Sequence, residues 1–454
     1  MPTLSAGDVV RVLLAITLLL IAAHCGGYVF ARFHQPRVIG EILGGLALGP
    51  TLLGVIAPGV EAHLFPTTGE VPLVLDGLAQ LGLLLLMFGA GAEMRSSFRS
   101  DERRTVAAVS LTGIAIPAAV GLAFVSLLPH GYGIGTAGSR PAFVLVFVLA
   151  IAVTSIPVIS RIMFDLGILE TPFARIVLTV AVLEDVIVYV VLAVAVGLVA
   201  ASSGDAIGLP AVLGIRPGSD ANVVYHVVAT LAFLAVTLLV GPAVYRALAG
   251  FRFNLIRRGN EVAFQLVFML LLTVGAGLLG VTPMFGAFMA GIIVGTAAGE
   301  TGREERASIN AFSFAFFIPI YFAMVGLKLD LVHAFSPVFF LIFLAIACAA
   351  KFGAVWVGAR VAGESPRAST NLGVALNARG GPGIVLASTA FAAGIVDESF
   401  YAVLVMLAIV TSLIAGSWLG AAVRRGEPLR GRRPDSGTEG RPLERSAARE
   451  EKRR

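Results

Sequence analysis

Long apolar segments separated by short loops constrain this chain more than any other feature. Thirteen segments of membrane-spanning length can be counted, at 9–32, 37–55, 73–94, 104–128, 141–165, 173–201, 222–250, 262–280, 283–299, 309–327, 335–362, 369–393 and 398–423. About 20 apolar residues cross a bilayer as a helix, and a helix satisfies its own backbone polar groups where water is absent. A hydrophobic content of 57% also excludes an ordinary soluble protein. We therefore expect an all-α polytopic membrane protein with thirteen transmembrane helices.

The sixth segment carries two adjacent acidic residues near its centre, Glu184 and Asp185. An ionised side chain at the centre of a lipid helix costs about 2.5–3.5 kcal/mol on insertion scales, so an intramembrane acid predicts a functional site. A carboxylate there can bind a proton or a metal cation but not both, which is the minimum chemistry for exchange. Neighbours lie about 100° apart around a helix. One acid can therefore face an ion path while the other faces a partner helix.

The eleventh segment carries Lys351 in a chain that uses arginine at nearly all other basic positions. A buried lysine can lose its proton, whereas arginine cannot. Two interpretations are open: Lys351 forms a pair with Glu184 that opens when the site loads, or it reaches from a helix end to the membrane surface. Its position near mid-segment favours the pair.

Segments 5 and 12 are predicted to be discontinuous helices. Segment 5 contains Thr154 and Ser155 just before a proline, and segment 12 contains the stretch NARGGPG at 377–383. Proline removes a backbone donor, and unwound backbone in a membrane must be buried in protein or line a wet cavity. Thr154 and Ser155 are expected to offer oxygens to the ion, or to bond their own helix. Arg379 is expected to neutralise helix ends and a carboxylate.

Two internal matches indicate inverted repeats. GEILGGLALG at 40–49 matches GAFMAGIIVG at 286–295, and the end of segment 3 matches the end of segment 10. The matches join segment 2 to segment 9 and segment 3 to segment 10, so the matched segments are seven segments apart along the chain. Such segments cross the membrane in opposite senses, as in transporters with inverted repeats. The repeats would cover about 9–201 and 262–424, linked by 222–250. The alternative, that glycine-rich membrane helices resemble one another, also stays open.

Basic residues concentrate in alternate loops, which predicts an N-terminus outside and a C-terminus in the cytoplasm. Residues 1–424 would form the transport domain, and 425–454 a disordered cytoplasmic tail. Glu41 in segment 2 then either lines a cytoplasmic funnel or lies at the membrane interface.

Several motifs carry a family resemblance over about residues 9–424. They are QPRVIGEILGGLALGP at 35–50, LGLLLLMFGAGAE at 81–93, VTSIPVISRIM at 153–163, FGAFMAG at 285–291, FIPIYFAMVGLKLD at 317–330 and NARG at 377–380. The chain resembles the second branch of the monovalent cation/proton antiporter superfamily. That branch includes glutathione-gated potassium efflux systems, bacterial sodium/proton antiporters and plant cation/proton exchangers.

The resemblance implies a homodimer with core and dimerisation domains, crossed broken segments 5 and 12, and an elevator-like movement. The family's essential aspartate falls on Asp185, which would bind the monovalent cation transiently. Glu184 stands where familiar members have Asp, Asn or Gln, and an acid there together with Lys351 resembles the charged-pair, electrogenic members. Gly383 stands where relatives often carry a glutamate.

The sequence therefore predicts a secondary antiporter of the inner membrane that exchanges Na⁺ or K⁺ for protons, with Glu184, Asp185, Thr154 and Ser155 at the ion site. It predicts no enzyme activity, no cofactor and no nucleic-acid partner. Proton-coupled efflux of an organic metabolite or ionophore is the alternative, and a cation channel is a weaker one. An intramembrane aspartyl protease is disfavoured, because its Gly-x-Gly-Asp motif does not occur.

Overall fold

The structure, a computed structural model, describes residues 5–33, 35–93, 102–168, 171–200, 208–214, 220–252, 254–297 and 302–430. Within these ranges every regular element is helical, and the only extended pairing is an isolated antiparallel bridge between Ile134 and Val396. The predicted all-α class is confirmed.

The helices in chain order are α1 (Ala6–Arg32), α2 (Arg37–Leu48), α3 (Leu53–Ile56), α4 (Pro58–Leu64), α5 (Glu70–Glu93), α6 (Arg103–Leu127), α7 (Arg140–Ala152), α8 (Ile156–Asp165), α9 (Pro172–Ala200), α10 (Leu209–Val212), α11 (Asp220–Gly250), α12 (Leu255–Gly259), α13 (Glu261–Leu278), α14 (Pro283–Ala297), α15 (Arg303–Phe312), α16 (Ile318–Leu327), α17 (Pro337–Val361), α18 (Pro366–Ala375), α19 (Gly380–Ala392) and α20 (Glu398–Arg424). A π turn, Ser313–Phe317, joins α15 to α16.

Ten helical spans of the described ranges are long and apolar enough to cross a membrane; two of them, Arg37–Ile56 and Glu304–Leu327, join more than one of these elements, and α7 and α14 are shorter apolar helices. The chain is therefore a multi-pass membrane protein. The count of thirteen crossings stays a prediction.

The interruptions predicted in segments 5 and 12 are present. Helix α7 ends at Ala152 and α8 begins at Ile156, while α18 ends at Ala375 and α19 begins at Gly380. Each break is followed by a proline, Pro157 as the second residue of α8 and Pro382 as the third residue of α19. Inside a continuous helix a proline would leave one carbonyl without its N–H donor. In the first turn of a helix no such hydrogen bond is lost.

The two breaks bind each other. The Ser155 N–H donates to the Ala378 carbonyl at 2.8 Å, and the Thr154 hydroxyl donates to the Leu376 carbonyl at 2.6 Å. The Gly381 N–H donates to the Ser155 hydroxyl oxygen at 3.0 Å. Buried backbone groups need partners, and here each break supplies partners for the other.

The glycines of the internal repeat lie where helices approach most closely. A Cβ atom at Gly45 of α2 would overlap the backbone of Ala323 of α16, and a Cβ atom at Gly291 of α14 would overlap the carbonyl of Phe88 of α5. The offset from Gly45 to Gly291 is that of the two matched decapeptides, and the offset from Phe88 to Ala323 is that of the matched ends of segments 3 and 10. Helix α2 thus packs on α16 in the register in which α14 packs on α5.

Helix α9 joins two separate apolar cores. Its first half, including Phe173 and Val177, packs in a smaller core with side chains from α6, α8, α17, α18 and α20. Its second half, including Val188 and Leu192, packs in the larger core of the protein. Glu184 and Asp185 lie between these halves, at the junction of the two cores.

The described part of the chain extends six residues past the end of α20 at Arg424. Residues 425–430 belong to the stretch that the sequence assigns to a disordered tail. Leu429 contacts Asn371 of α18, and Arg430 contacts Glu364, which lies between α17 and α18. The rest of that stretch, 431–454, lies outside the described residues.

Candidate functional site

Lys351 and Glu184 form a buried ion pair. The Lys351 Nζ atom lies 2.8 Å from Glu184 Oε1 and 2.8 Å from Oε2. The side chains of Lys351 and Glu184 are 0% and 1% exposed. The structure therefore brings together the two residues that the sequence pairs, and Lys351 does not reach the membrane surface.

Two backbone carbonyls complete the surroundings of the Lys351 ammonium. Its Nζ donates to the Gly113 carbonyl at 3.0 Å and to the Ala152 carbonyl at 2.6 Å. Pro117 lies inside α6 four residues after Gly113, so it cannot supply the N–H that the Gly113 carbonyl would accept in a regular helix. Ala152 is the last residue of α7, where carbonyls lack helical partners. Neither acceptor was predicted from the sequence, although Pro117 is a visible signal for the Gly113 carbonyl.

Arg379 neutralises the carbonyl end of α7. Its guanidinium donates to the carbonyls of Ala150 at 3.0 Å and Ile151 at 2.9 Å, and to the Ala347 carbonyl of α17 at 2.8 Å. It also donates to the Asn377 side-chain oxygen at 2.6 Å. The C-terminal end of a helix carries partial negative charge, which favours two cations there. None of the described hydrogen bonds of the Arg379 guanidinium goes to a carboxylate, although the sequence led us to expect one there.

Thr154 and Ser155 are fully buried at the centre of the site. Their hydroxyl groups join the two breaks, and the Ser155 oxygen also accepts the Val158 N–H of α8 at 3.4 Å. The structure therefore places both residues beside Ala152, which binds Lys351. Their expected role, to offer oxygens to the ion, stays a prediction.

Two hydroxyl groups of α20 cap the start of α19. The Arg379 N–H donates to Thr411 Oγ1 at 3.3 Å, and the Gly380 N–H donates to Ser412 Oγ at 3.2 Å. Free N–H groups at a helix start need such acceptors. Sequence reasoning missed this pair, and the available signal was two adjacent hydroxyl residues inside an apolar segment.

Asp185 differs sharply from its neighbour. It is 1% exposed, and its Oδ1 atom has no hydrogen-bond partner among the described residues. Tyr189 follows one helical turn later, so it lies on the same face of α9, and its ring centroid lies 4.8 Å from that of Phe288 on α14. Asp185 is thus a buried acid with an unsatisfied oxygen, one residue away from a fully paired acid.

Glu41 lies apart from this group. It is buried on α2 and faces α1, because a Cβ atom at Gly27 would lie 3.4 Å from Glu41 Cγ. No described hydrogen bond joins Glu41 to Glu184, Asp185 or Lys351. Within the described ranges no three His, Cys, Asp or Glu side chains gather in the manner of a resident metal site.

A buried ion pair and an adjacent lone acid, placed where two interrupted helices meet in a multi-pass membrane protein, define a secondary transporter. Comparisons with known proteins agree with that class. Residues 17–425 match the family model described as sodium/hydrogen exchanger, transmembrane.

Curated relatives cover most of this chain. The Na(+)/H(+) antiporter NhaS4 of Synechocystis sp. is 28% identical over 415 residues, which is 89% of this chain and 95% of the relative. The Na(+)/H(+)-K(+) antiporter GerN of Bacillus cereus is 26% identical, over 88% of this chain and 93% of the relative. The K(+)/H(+) antiporter 1 of Saccharomyces cerevisiae is 27% identical over 85% of this chain, which spans 43% of the yeast protein.

The fold also has a solved counterpart. The sodium proton antiporter MjNhaP1 from Methanocaldococcus jannaschii aligns with a TM-score of 0.60 at 15% identity, over 92% of this chain and 99% of that chain. The chain belongs to the sodium/hydrogen exchanger family. The resemblance to cation/proton antiporters is confirmed, and so is the prediction of a membrane transporter rather than an enzyme, because the family consists of transporters.

Proposed function

We propose that the protein exchanges a monovalent cation, Na⁺ or K⁺, for protons, and that Asp185 binds the cation and the proton in turn. The observation that carries the proposal is the buried Oδ1 atom of Asp185, which has no hydrogen-bond partner in the described part of the chain. The names of the relatives supply the two cations and the proton as candidate substrates.

Charge balance explains why such a site would exchange rather than leak. Glu184 and Lys351 neutralise each other at 2.8 Å, and the charge of Arg379 faces carbonyl oxygens at the end of α7. An ionised Asp185 is then a buried carboxylate with no cation in direct contact among the described residues. Burying an unpaired carboxylate is costly, so the site favours the states in which Asp185 holds a cation or a proton. When the site changes sides of the membrane only in those two states, a cation moves one way and a proton moves the other, which is exchange.

Besides neutralising Glu184, Lys351 has a second role in this scheme. Its pair with Glu184 keeps the ammonium away from Asp185, so that the cation does not have to displace it. The contacts of Lys351 with the Gly113 and Ala152 carbonyls support this arrangement, because they hold the ammonium between α6 and α7.

The architecture proposed with this function has thirteen crossings, repeats at about 9–201 and 262–424, and breaks that cross at the membrane midplane. It forms a homodimer in the inner membrane, with its N-terminus outside and its tail in the cytoplasm. The described contacts between the two breaks and the matched glycine contacts support the repeat and the crossing.

Proton flux in liposomes tests the proposal. Purified protein is reconstituted with a pH gradient and a pH-sensitive dye, and Na⁺, K⁺ or choline is added. We expect Na⁺ or K⁺ to dissipate the gradient with a saturable rate, and Asp185→Asn to reduce the rate to that of empty liposomes. Asp76→Asn is the matched control, because Asp76 forms an exposed pair with Lys328 and its loss should leave the rate unchanged. Wild-type exchange by Asp185→Asn would overturn the assignment, and a non-saturating conductance would favour a channel.

A further inference from the structure

Away from the ion site, a group of charges joins the end of the described chain to three other elements. Arg430 lies between Glu102 and Glu364, whose side chains are 5% and 1% exposed. Its Nε donates to Glu364 Oε1 at 3.2 Å, and its NH1 lies 3.6 Å from Glu102 Oε1. Arg430 therefore bridges two buried carboxylates.

Each of these carboxylates is also held by a second element. Arg175, near the start of α9, donates from Nε and NH2 to Glu102 Oε1 at 3.3 and 2.9 Å. Thr105 on α6 donates its hydroxyl to Glu364 Oε1 at 3.0 Å. Glu102 immediately precedes α6, and Glu364 lies between α17 and α18. Arg430 thus lies where the ends of α6, α9 and α17 meet.

The segment that carries Arg430 is fixed by other contacts as well. Asn371 Nδ2 on α18 donates to the Leu429 carbonyl at 3.3 Å, and Trp418 Nε1 on α20 donates to the Asn371 side-chain oxygen at 3.2 Å. The Leu429 side chain packs against the smaller apolar core. These contacts hold the backbone next to Arg430 independently of its guanidinium.

The same three helices form the ion pair. Gly113 of α6, Glu184 of α9 and Lys351 of α17 meet at the ammonium group. Gly113 follows Thr105 by eight residues and Glu184 follows Arg175 by nine, which is about 12 and 13 Å along a helix. The Arg430 cluster therefore joins α6, α9 and α17 two to three turns away from the pair that they build.

We propose that Arg430 is a positioning residue for the exchange reaction, through its hold on the helices that form the Glu184–Lys351 pair. This inference rests on the proposed function. Without Arg430, the buried Glu364 loses its described cationic partner. Glu364 and Glu102 then repel each other, because both carry negative charge. The connection between α17 and α18 therefore separates from α6 and α9. The Glu184–Lys351 pair then loosens, and Lys351 competes with the transported cation for Asp185.

Two shortened chains and two point variants test this role in the liposome assay. One chain ends after Arg430 and keeps every described contact, while the other ends after Glu427 and loses Leu429 and Arg430. We expect the first to keep the wild-type cation concentration for half-maximal exchange. The second, and Arg430→Gln, should raise it by about three- to tenfold while the maximal rate per folded protein changes little. Arg430→Lys should lie between Arg430→Gln and wild type, since it keeps one charge at the carboxylates.

The inference would be overturned if Arg430→Gln, or the chain ending after Glu427, had the half-saturating cation concentration of wild type. If one of the two proteins does not fold, the other alone decides the test. A fall in maximal rate without a change in half-saturation would also overturn it, because a merely structural loss has that effect. Wild type and Asp185→Asn in the same assay separate the two proposals. If wild type exchanges and Asp185→Asn does not, the proposed function stands. Arg430 variants with the wild-type half-saturating concentration then reject the positioning role alone.

Discussion

Two adjacent acids on one helix have opposite surroundings. Glu184 has both carboxylate oxygens on Lys351, whereas the Oδ1 atom of Asp185 lacks a described partner. The sequence could predict that both acids are functional, because their cost in a membrane helix is high. It could also favour Lys351 as the partner from its mid-segment position. Pro117 was a signal that the Gly113 carbonyl lacks its helical donor, but nothing in the sequence placed that carbonyl or the Ala152 carbonyl beside Lys351.

Removing Lys351 should be far more costly than removing the whole pair. In Lys351→Gln, Glu184 remains as a buried charge without its partner, and losses of this kind are about 3–5 kcal/mol. The double variant Glu184→Gln/Lys351→Gln leaves no unbalanced charge, so most of that loss should be recovered. Thermal unfolding of detergent-purified protein measures both. A double variant no more stable than Lys351→Gln would contradict this account of the pair.

Pro117 should trade helix stability for the Lys351 site. Pro117→Ala restores an N–H that can donate to the Gly113 carbonyl, so α6 gains a hydrogen bond while Lys351 loses sole use of an acceptor. Interior proline costs a helix about 3 kcal/mol, so we expect a higher Tm together with weaker exchange. Pro242→Ala in α11 is the matched control, since that proline is also inside a helix and no contact joins it to the pair. Equal effects of both variants on exchange would refute the role of Pro117.

At the scale of elements, the two broken helices were predictable and their mutual contacts were not. Proline and clustered glycines in segments 5 and 12 mark positions where a helix loses hydrogen bonds. The partners that repair those losses lie far along the chain: Thr154 binds Leu376, and Arg379 binds Ala150. Contacts of this kind depend on which helices become neighbours, and neither periodicity nor composition reports that.

Close crossings at the repeat glycines should be intolerant of a single methyl group. Gly45→Ala and Gly291→Ala would place Cβ against the backbone of Ala323 and Phe88, and overpacking of this kind costs about 1–3 kcal/mol. Gly275→Ala and Gly353→Ala are matched controls in α13 and α17, because no atom lies within 4 Å of their added Cβ.

Thermal unfolding and the yield of monodisperse protein distinguish the two groups of glycines. We expect a lower Tm for Gly45→Ala and Gly291→Ala, and an unchanged or higher Tm for the controls, since alanine favours a helix over glycine. Equal Tm values for the four variants would show that these crossings are not close.

At the scale of the whole molecule, α9 holds the acid pair between two apolar cores. The smaller core includes side chains of α6, α8, α17, α18 and α20, and the larger one includes α2, α5, α14 and α16 together with α7 and the first half of α17. Asp185 therefore lies at the junction of the two cores, to both of which α9 and α17 contribute. The sequence indicated the repeats through their glycines. It did not indicate this division, because both cores are built from the same apolar residue types.

The proposed topology puts the N-terminus outside and the C-terminus in the cytoplasm. The distribution of arginines supports it. Single cysteines near each end, introduced after replacement of Cys25 and Cys348, can be labelled in intact cells with a membrane-impermeant maleimide. We expect labelling at the N-terminal position only, and labelling at the C-terminal position only after lysis. Labelling of both ends in intact cells would contradict an odd number of crossings.

The central claim is that one cation and one proton compete for Asp185, and proton release on cation binding tests it most directly. Detergent-purified protein in weakly buffered solution is titrated with Na⁺ or K⁺ while the pH is recorded, with choline as the control ion. The account predicts saturable proton release by wild type, with a half-saturating cation concentration that rises as the starting pH falls. It predicts no release by Asp185→Asn. Undiminished release by Asp185→Asn, or saturable cation binding by wild type without release of protons, would contradict it.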